Sequence, residues 1–180
     1  MKNINWIKNL KKNVGVFLDM LAENNFNYIK YSLSGDIYGR NTNWGLGQNV
    51  FMAKILYMLD LLEGIDSDKR NNLINGIKKF QDGNGYISDP LIIKLITKKR
   101  FLFFRDKSNE FELEKIRRAE TRQSFSALNC LGEKPDKPFL YIPYDERSIG
   151  NFLSGFNWKY PWDAGSHFSH LLFFLKLNEI

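Results

Sequence analysis

The stretch Trp158-Lys159-Tyr160-Pro161-Trp162-Asp163-Ala164-Gly165-Ser166-His167-Phe168-Ser169-His170 carries both histidines of the chain and two of its four tryptophans. An imidazole beside a carboxylate is a natural proton-transfer pair, because histidine titrates near neutrality. If a helix begins at Pro161, then Asp163, His167 and His170 fall at i, i+4 and i+7 and share one face. If it begins after Gly165, Ser166 is the cap and Asp163 lies in the preceding turn. The first arrangement makes Asp163 and His167 candidates for proton transfer and puts His170 against the substrate. The plainer alternative is that both imidazoles satisfy local backbone groups beside an aromatic cluster. Two imidazoles and a carboxylate are also metal-ligand types, yet no fourth ligand stands near them. The expectation is therefore no metal and no cofactor, with a divalent ion as the less favoured case.

Two other groups carry polar chemistry. Glu120, Arg122 and Gln123 sit among small and apolar residues in a helical pattern. Facing a cavity, Glu120 would be a third catalytic candidate and Arg122 a substrate-binding one. The competing reading pairs Arg117, Arg118, Glu120 and Arg122 as solvent-side ions of small energetic worth. Asn43-Trp44-Gly45-Leu46-Gly47-Gln48 is glycine-rich before a helical run. Its spacing fits neither a P-loop nor a dinucleotide fingerprint, so it reads as a tight turn. Trp44 joins Trp158, Tyr160 and Trp162 as aromatic rings suited to holding a bulky ligand.

The elements that must position these groups are helical. Apolar residues recur at helical spacing in Trp6-Leu21, Phe51-Leu62, Leu73-Phe80, Leu91-Arg105, Ile116-Leu131, Ile149-Phe156 and the final run to Leu177. Asp66 or Asp68, Asp89 before Pro90, and Asp145 are predicted caps, and Gly64 and Gly132 predicted stops. Residues 26–49 and the proline-bearing 133–144 read as connectors. Strand signals are sparse, so the expected class is all-α, a single helical-hairpin domain over residues 1–180.

Composition narrows the function classes. The 180 residues are 43% hydrophobic and 26% charged, which suits a globular chain, and 15% aromatic. The formal charge is +6, but the lysines are dispersed and no nucleic-acid motif accompanies them, so no nucleic-acid partner is expected. The single cysteine, Cys130, excludes an intrachain disulfide and reads as a small core residue. Without a signal peptide or a long apolar span, the expected location is the cytoplasm. Leu91 to Arg105 mixes apolar and basic residues, which suits peripheral membrane contact or, more simply, a solvated outer helix.

A repeat underlies the pattern. Leu56, Leu59, Ile77, Phe80, Gly83 and Tyr86 recur 72 positions later as Leu128, Leu131, Ile149, Phe152, Gly155 and Trp158. The units span about 44–88 and 117–160, with 89–116 inserted between them. Gln81-Asp82-Gly83-Asn84-Gly85-Tyr86 resembles the Gln, Asp-Gly, aromatic turn of terpenoid cyclases and protein prenyltransferases. Arg118-Ala119-Glu120-Thr121-Arg122, ahead of Ala127-Leu128 and Leu131-Gly132, resembles the start of one of their repeats.

That resemblance, over roughly 44–175, implies a partial or small α/α toroid and an enzyme with an aromatic cavity. The substrate would be a bulky apolar or glycan-type molecule. The Asp-x-Asp-Asp of the cyclases has no full counterpart, since Asp66-Ser67-Asp68-Lys69 lacks the last aspartate and reads as a cap. Cys130 lies in no zinc-binding context of the prenyltransferase kind. A complete toroid needs more hairpins, so self-association or a missing C-terminal portion is expected. The rival expectations are a carbohydrate-active α/α-barrel protein linked to polysaccharide metabolism, and a non-catalytic helical repeat that binds protein or membrane.

Overall fold

The structure, a computed structural model, describes residues 5–101 and 108–177. It is all-α. The helices are α1 (Asn5–Leu21), α2 (Leu46–Met58), α3 (Ser67–Lys78), α4 (Pro90–Phe101), α5 (Ser108–Cys130), α6 (Glu146–Ser154) and α7 (Pro161–Leu177). One two-stranded antiparallel ribbon follows α1, with β1 (Ala22–Glu23) pairing β2 (Tyr28–Ile29) in the register Ala22 to Ile29 and Glu23 to Tyr28. Three successive residues, Asn24, Asn25 and Phe26, turn that ribbon with φ of 49°, 55° and 65°. Asparagine tolerates this region better than phenylalanine does, and burial of the Phe26 ring at 3% exposure compensates its strain.

Helix α5 is the hub. It packs on α2, α7, α4 and α3, and α2 packs on α3. Its inward face explains this: Thr121, Ser124, Phe125, Ala127 and Leu128 are all at most 2% exposed. Small side chains let neighbouring helices approach closely, and the two buried hydroxyls donate one turn back. Thr121 Oγ1 bonds the Arg117 carbonyl at 2.7 Å and Ser124 Oγ the Glu120 carbonyl at 2.8 Å. One continuous apolar cluster runs from Leu18 through Val50, Leu73, Ile77 and Leu128 to Phe174.

The caps follow local chemistry. Asp66 caps α3 by accepting from Lys69 N–H at 2.8 Å, and Asp145 caps α6 in a reciprocal box with Ser148. Helix α2 stops at Met58, short of the expected Leu62. Asp60 enters the left-handed region at φ 55°, and residues 62–64 form a separate 3-10 turn. Helix α5 begins at Ser108, within the stretch read from sequence as an insertion. Its charged first turns hid it, since they lack the apolar spacing that marked the rest.

The ends of α2 and α5, Met58 and Cys130, lie 72 positions apart, whereas those of α3 and α6, Lys78 and Ser154, lie 76 apart. The repeated turns are less alike. A Cβ on Gly83 would meet no atom within 4 Å, whereas one on Gly85 would lie 2.2 Å from the Pro138 carbonyl oxygen, at a φ of 88°. Gly85 is thus the constrained glycine. Tyr86 is 4% exposed against Phe139, while its counterpart Trp158 is 56% exposed.

Candidate functional site

Helix α7 begins at Pro161, so the helix-face arrangement of Asp163, His167 and His170 is realised. Proline is favoured there because a first-turn N–H has no partner inside the helix. The buried side of α7 reads Ala164, His167, His170, Leu171 and Phe174, so both imidazoles face the protein interior at 3% exposure each.

Asp163 stands between two nitrogen-bearing groups. Its Oδ1 accepts a hydrogen bond from Lys115 Nζ of α5, and its Oδ2 lies 4.0 Å from His167 Nε2. The Lys115 ammonium beside it holds the Asp163 carboxyl below the usual carboxylate range. Asp163 and His167 line a cavity of about 210 Å³ with Gly155, Phe156, Asn157 and Ala164. The Phe156 ring lies 5.5 Å from that of His167.

His170 continues the group inward, its ring 6.4 Å from that of His167. Burial, reinforced by Arg122 and then His167, Arg118 and Lys115, pushes its pKa down to about 4. His170 is therefore neutral near pH 7. Its Nδ1 and Arg122 Nε are buried without a hydrogen-bond partner among the described residues.

Glu120 belongs elsewhere. Its Oε2 accepts from the Asp89 N–H at 3.0 Å, and burial, opposed by that bond and aided by the Asp89 charge, raises its pKa to about 7. Asp89 itself is 4% exposed and ties two helix starts together. Its Oδ2 accepts from Gly45 N–H at 2.9 Å and Leu46 N–H at 3.3 Å, and its Oδ1 from Leu91 N–H at 3.0 Å. The expected trio thus divides: Asp163 and His167 come together, and Glu120 joins Asp89 at the start of α4.

The aromatic residues divide too. Trp158, Tyr160 and Trp162 are 56%, 66% and 93% exposed and do not line the Asp163–His167 cavity. The Trp158 ring lies 5.6 Å from that of Phe156, which lines the cavity, while Tyr160 and Trp162 stand out in solvent. Trp44 lines a different cavity beside the start of α2. The turn there is tight, as expected, with Gly45 at φ 105°. Arg122 faces α7, close enough to depress the His170 pKa, rather than solvent-side acids.

Sequence reasoning missed Lys115, and it gave Arg118 only a solvent-side ion-pair role and Asp89 only a capping role. Lys115, Arg118 and Arg122 form an i, i+3, i+7 stripe, which becomes visible once the helix is known to begin at Ser108. Its sequence context marks Asp89 as a cap for one helix, but its second role, across 44 positions to Gly45, leaves no local signal. Among the described residues, no three histidine, cysteine or acidic side chains gather into a possible metal-ligand set. No helix among them is long and apolar enough to cross a membrane. Along Leu91–Arg105, Ile92 is 38% exposed, and residues 102–105 lie outside those described. Compared with known proteins, the chain matches no family model, no curated protein and no solved structure.

Proposed function

We propose that this chain is an α/α-toroid enzyme, or part of one, that moves a proton on a bulky apolar or glycan-type substrate. The observation that carries the reading is the Asp163 carboxylate set between Lys115 and His167 on the wall of a cavity. In this scheme His167 is the proton carrier. Asp163 orients the imidazole and stabilises its charged form, and Lys115 keeps Asp163 ionised. Phe156 supplies an apolar wall that strengthens these electrostatics. Trp158, Tyr160 and Trp162 guide the substrate at the cavity mouth. The likeness to terpenoid cyclases and protein prenyltransferases supports the substrate class through its turn and repeat motifs alone.

The test is incubation of the purified protein in D2O with polyprenols, polyprenyl diphosphates and neutral oligosaccharides, followed by mass spectrometry. A proton-transfer enzyme incorporates deuterium into one of these classes, and both His167→Gln and Asp163→Asn abolish incorporation while retaining the helical circular dichroism signal. Absence of turnover across the panel, or turnover unchanged in both variants, overturns the reading. A second reading, a non-catalytic repeat that binds protein or membrane, is favoured by the exposed Trp162, Phe168 and Leu172 on α7. Vesicle or protein capture by the catalytically silent chain would support it.

A further inference from the structure

A second cavity, beside the start of α2, shares no lining residue with the one at Asp163 and His167. Its volume is about 240 Å³. Pockets for drug-sized ligands begin at about 300 Å³, so a single ring with its substituents is the natural occupant. Trp44 forms one wall. Tyr38 holds it edge-on at 5.2 Å and 78°, and Tyr31 leans against it at 6.2 Å. The indole is therefore fixed by its neighbours before any ligand arrives.

Around that wall stand the carboxamides of Asn41, Asn43 and Gln48. None makes a hydrogen bond to another described residue. A carboxamide both donates and accepts, as a sugar hydroxyl does, and an indole face covers the C–H face of a pyranose. The nearby helix terminus offers little, because Asp89 already accepts from the first N–H groups of α2. Recognition here falls to side chains.

The charge on the walls has one sign. Arg40 and Lys79 line the cavity, and no aspartate or glutamate does. Arg40 is bound to Glu23 at 2.7 Å and stacks on Tyr28, which leaves it fixed and partly neutralised. Lys79 Nζ lies 5.0 Å over the Phe80 ring and has no ion-pair partner among the described residues. Lys79 lines the same cavity as these amides, so a ligand with both hydroxyls and an anionic group matches the lining.

We propose that this cavity binds an acidic monosaccharide unit, a sugar ring bearing one carboxylate or phosphate. Trp44 takes the apolar face of the ring, Asn41, Asn43 and Gln48 its hydroxyls, and Lys79 its anion. The site stands independently of the proton-transfer reading, and the experiment keeps the two apart.

Isothermal titration of the full chain with glucuronate, glucose 6-phosphate, glucose and inorganic phosphate tests it. The two acidic sugars bind saturably, and glucose and phosphate bind at least about tenfold more weakly, as loss of one charge-assisted contact implies. Lys79→Gln weakens the acidic sugars by about tenfold and leaves glucose unchanged. Lys79 is exposed, so its thermal midpoint serves as the folding control, and Gln48→Ala provides a second variant with weakened sugar binding. Asp163→Asn retains full binding, whatever its effect on proton transfer. The proposal is overturned if neither acidic sugar binds at about 10 mM, or if phosphate alone binds as well as the sugar phosphate. It is equally overturned if Lys79→Gln and Gln48→Ala both bind as the parent does, or if Asp163→Asn abolishes binding while folded.

Discussion

His170 should give this protein an acid-sensitive contribution to stability that sets in at a higher pH than that of an ordinary carboxylate and runs opposite in sign to that of Glu120. The His170 side chain is 3% exposed, its Nδ1 has no partner among the described residues, and Arg122, His167, Arg118 and Lys115 surround it. Its pKa is pushed down to about 4 from an ordinary 6.5. Above pH 6.5 the imidazole is neutral whether the chain is folded or not. Between 6.5 and 4 the unfolded chain takes a proton at this imidazole that the folded chain refuses, so the His170 contribution to stability falls as pH falls. Below about 4 the loss is complete. The full shift corresponds to about 3 kcal/mol, a sizeable part of the 5–15 kcal/mol typical of a domain. Asp163 loses its stabilising contribution only below its ordinary 3.8, so the two windows are distinct. Urea unfolding of the parent and of His170→Gln at pH 7, 5.5 and 4 isolates the effect. The parent should lose about 3 kcal/mol more than the variant across that range. Titration of the His170 ring by carbon-proton NMR in the parent gives a second measure that needs no variant, with a midpoint expected near 4. Equal pH slopes for the two proteins, or a ring midpoint near 6.5, would refute the argument.

Other outcomes follow from the same geometry. Glu120 behaves oppositely to His170: its pKa is raised to about 7 from 4.5, so stability present below 4.5 is lost as pH rises through 7. Glu120→Gln keeps an acceptor for the Asp89 N–H and should be more stable than the parent at pH 8, by about 1 kcal/mol after allowing for partial solvent screening, and equal to it at pH 4. Asp89→Ala removes side-chain partners at the starts of both α2 and α4 and should lower the urea-derived stability by about 2–4 kcal/mol, two caps' worth, whereas Asp66→Ala should lose about 1 kcal/mol. Gly85→Ala drives a Cβ toward the Pro138 carbonyl at a positive φ and should destabilise by at least about 2 kcal/mol, while Gly83→Ala, with open space around it, should stay within about 1 kcal/mol. Equal thermal midpoints for the two glycine variants would show that the turn does not need Gly85.

The all-α class, most helix positions and the caps at Asp89 and Asp145 were legible in the sequence, and the α3 cap was narrowed to Asp66 or Asp68. They rest on short-range physics: apolar spacing of three to four residues, and side chains that bond N–H groups two or three positions onward. The same rules left the start of α7 open between Pro161 and Gly165, because both begin a helix acceptably. Packing decided it, since starting at Pro161 lets Asp163 reach Lys115 and buries both imidazoles against α5. Tertiary structure also set Glu120 beside Asp89 rather than beside His167, and Trp44 apart from Trp158, Tyr160 and Trp162. Residue types named these side chains as candidates, but grouping them depends on which faces of α5 meet α4 and α7. That choice is made by buried area summed over the whole core, with Thr121, Ser124 and Ala127 allowing close contact, and no window of neighbouring residues contains it.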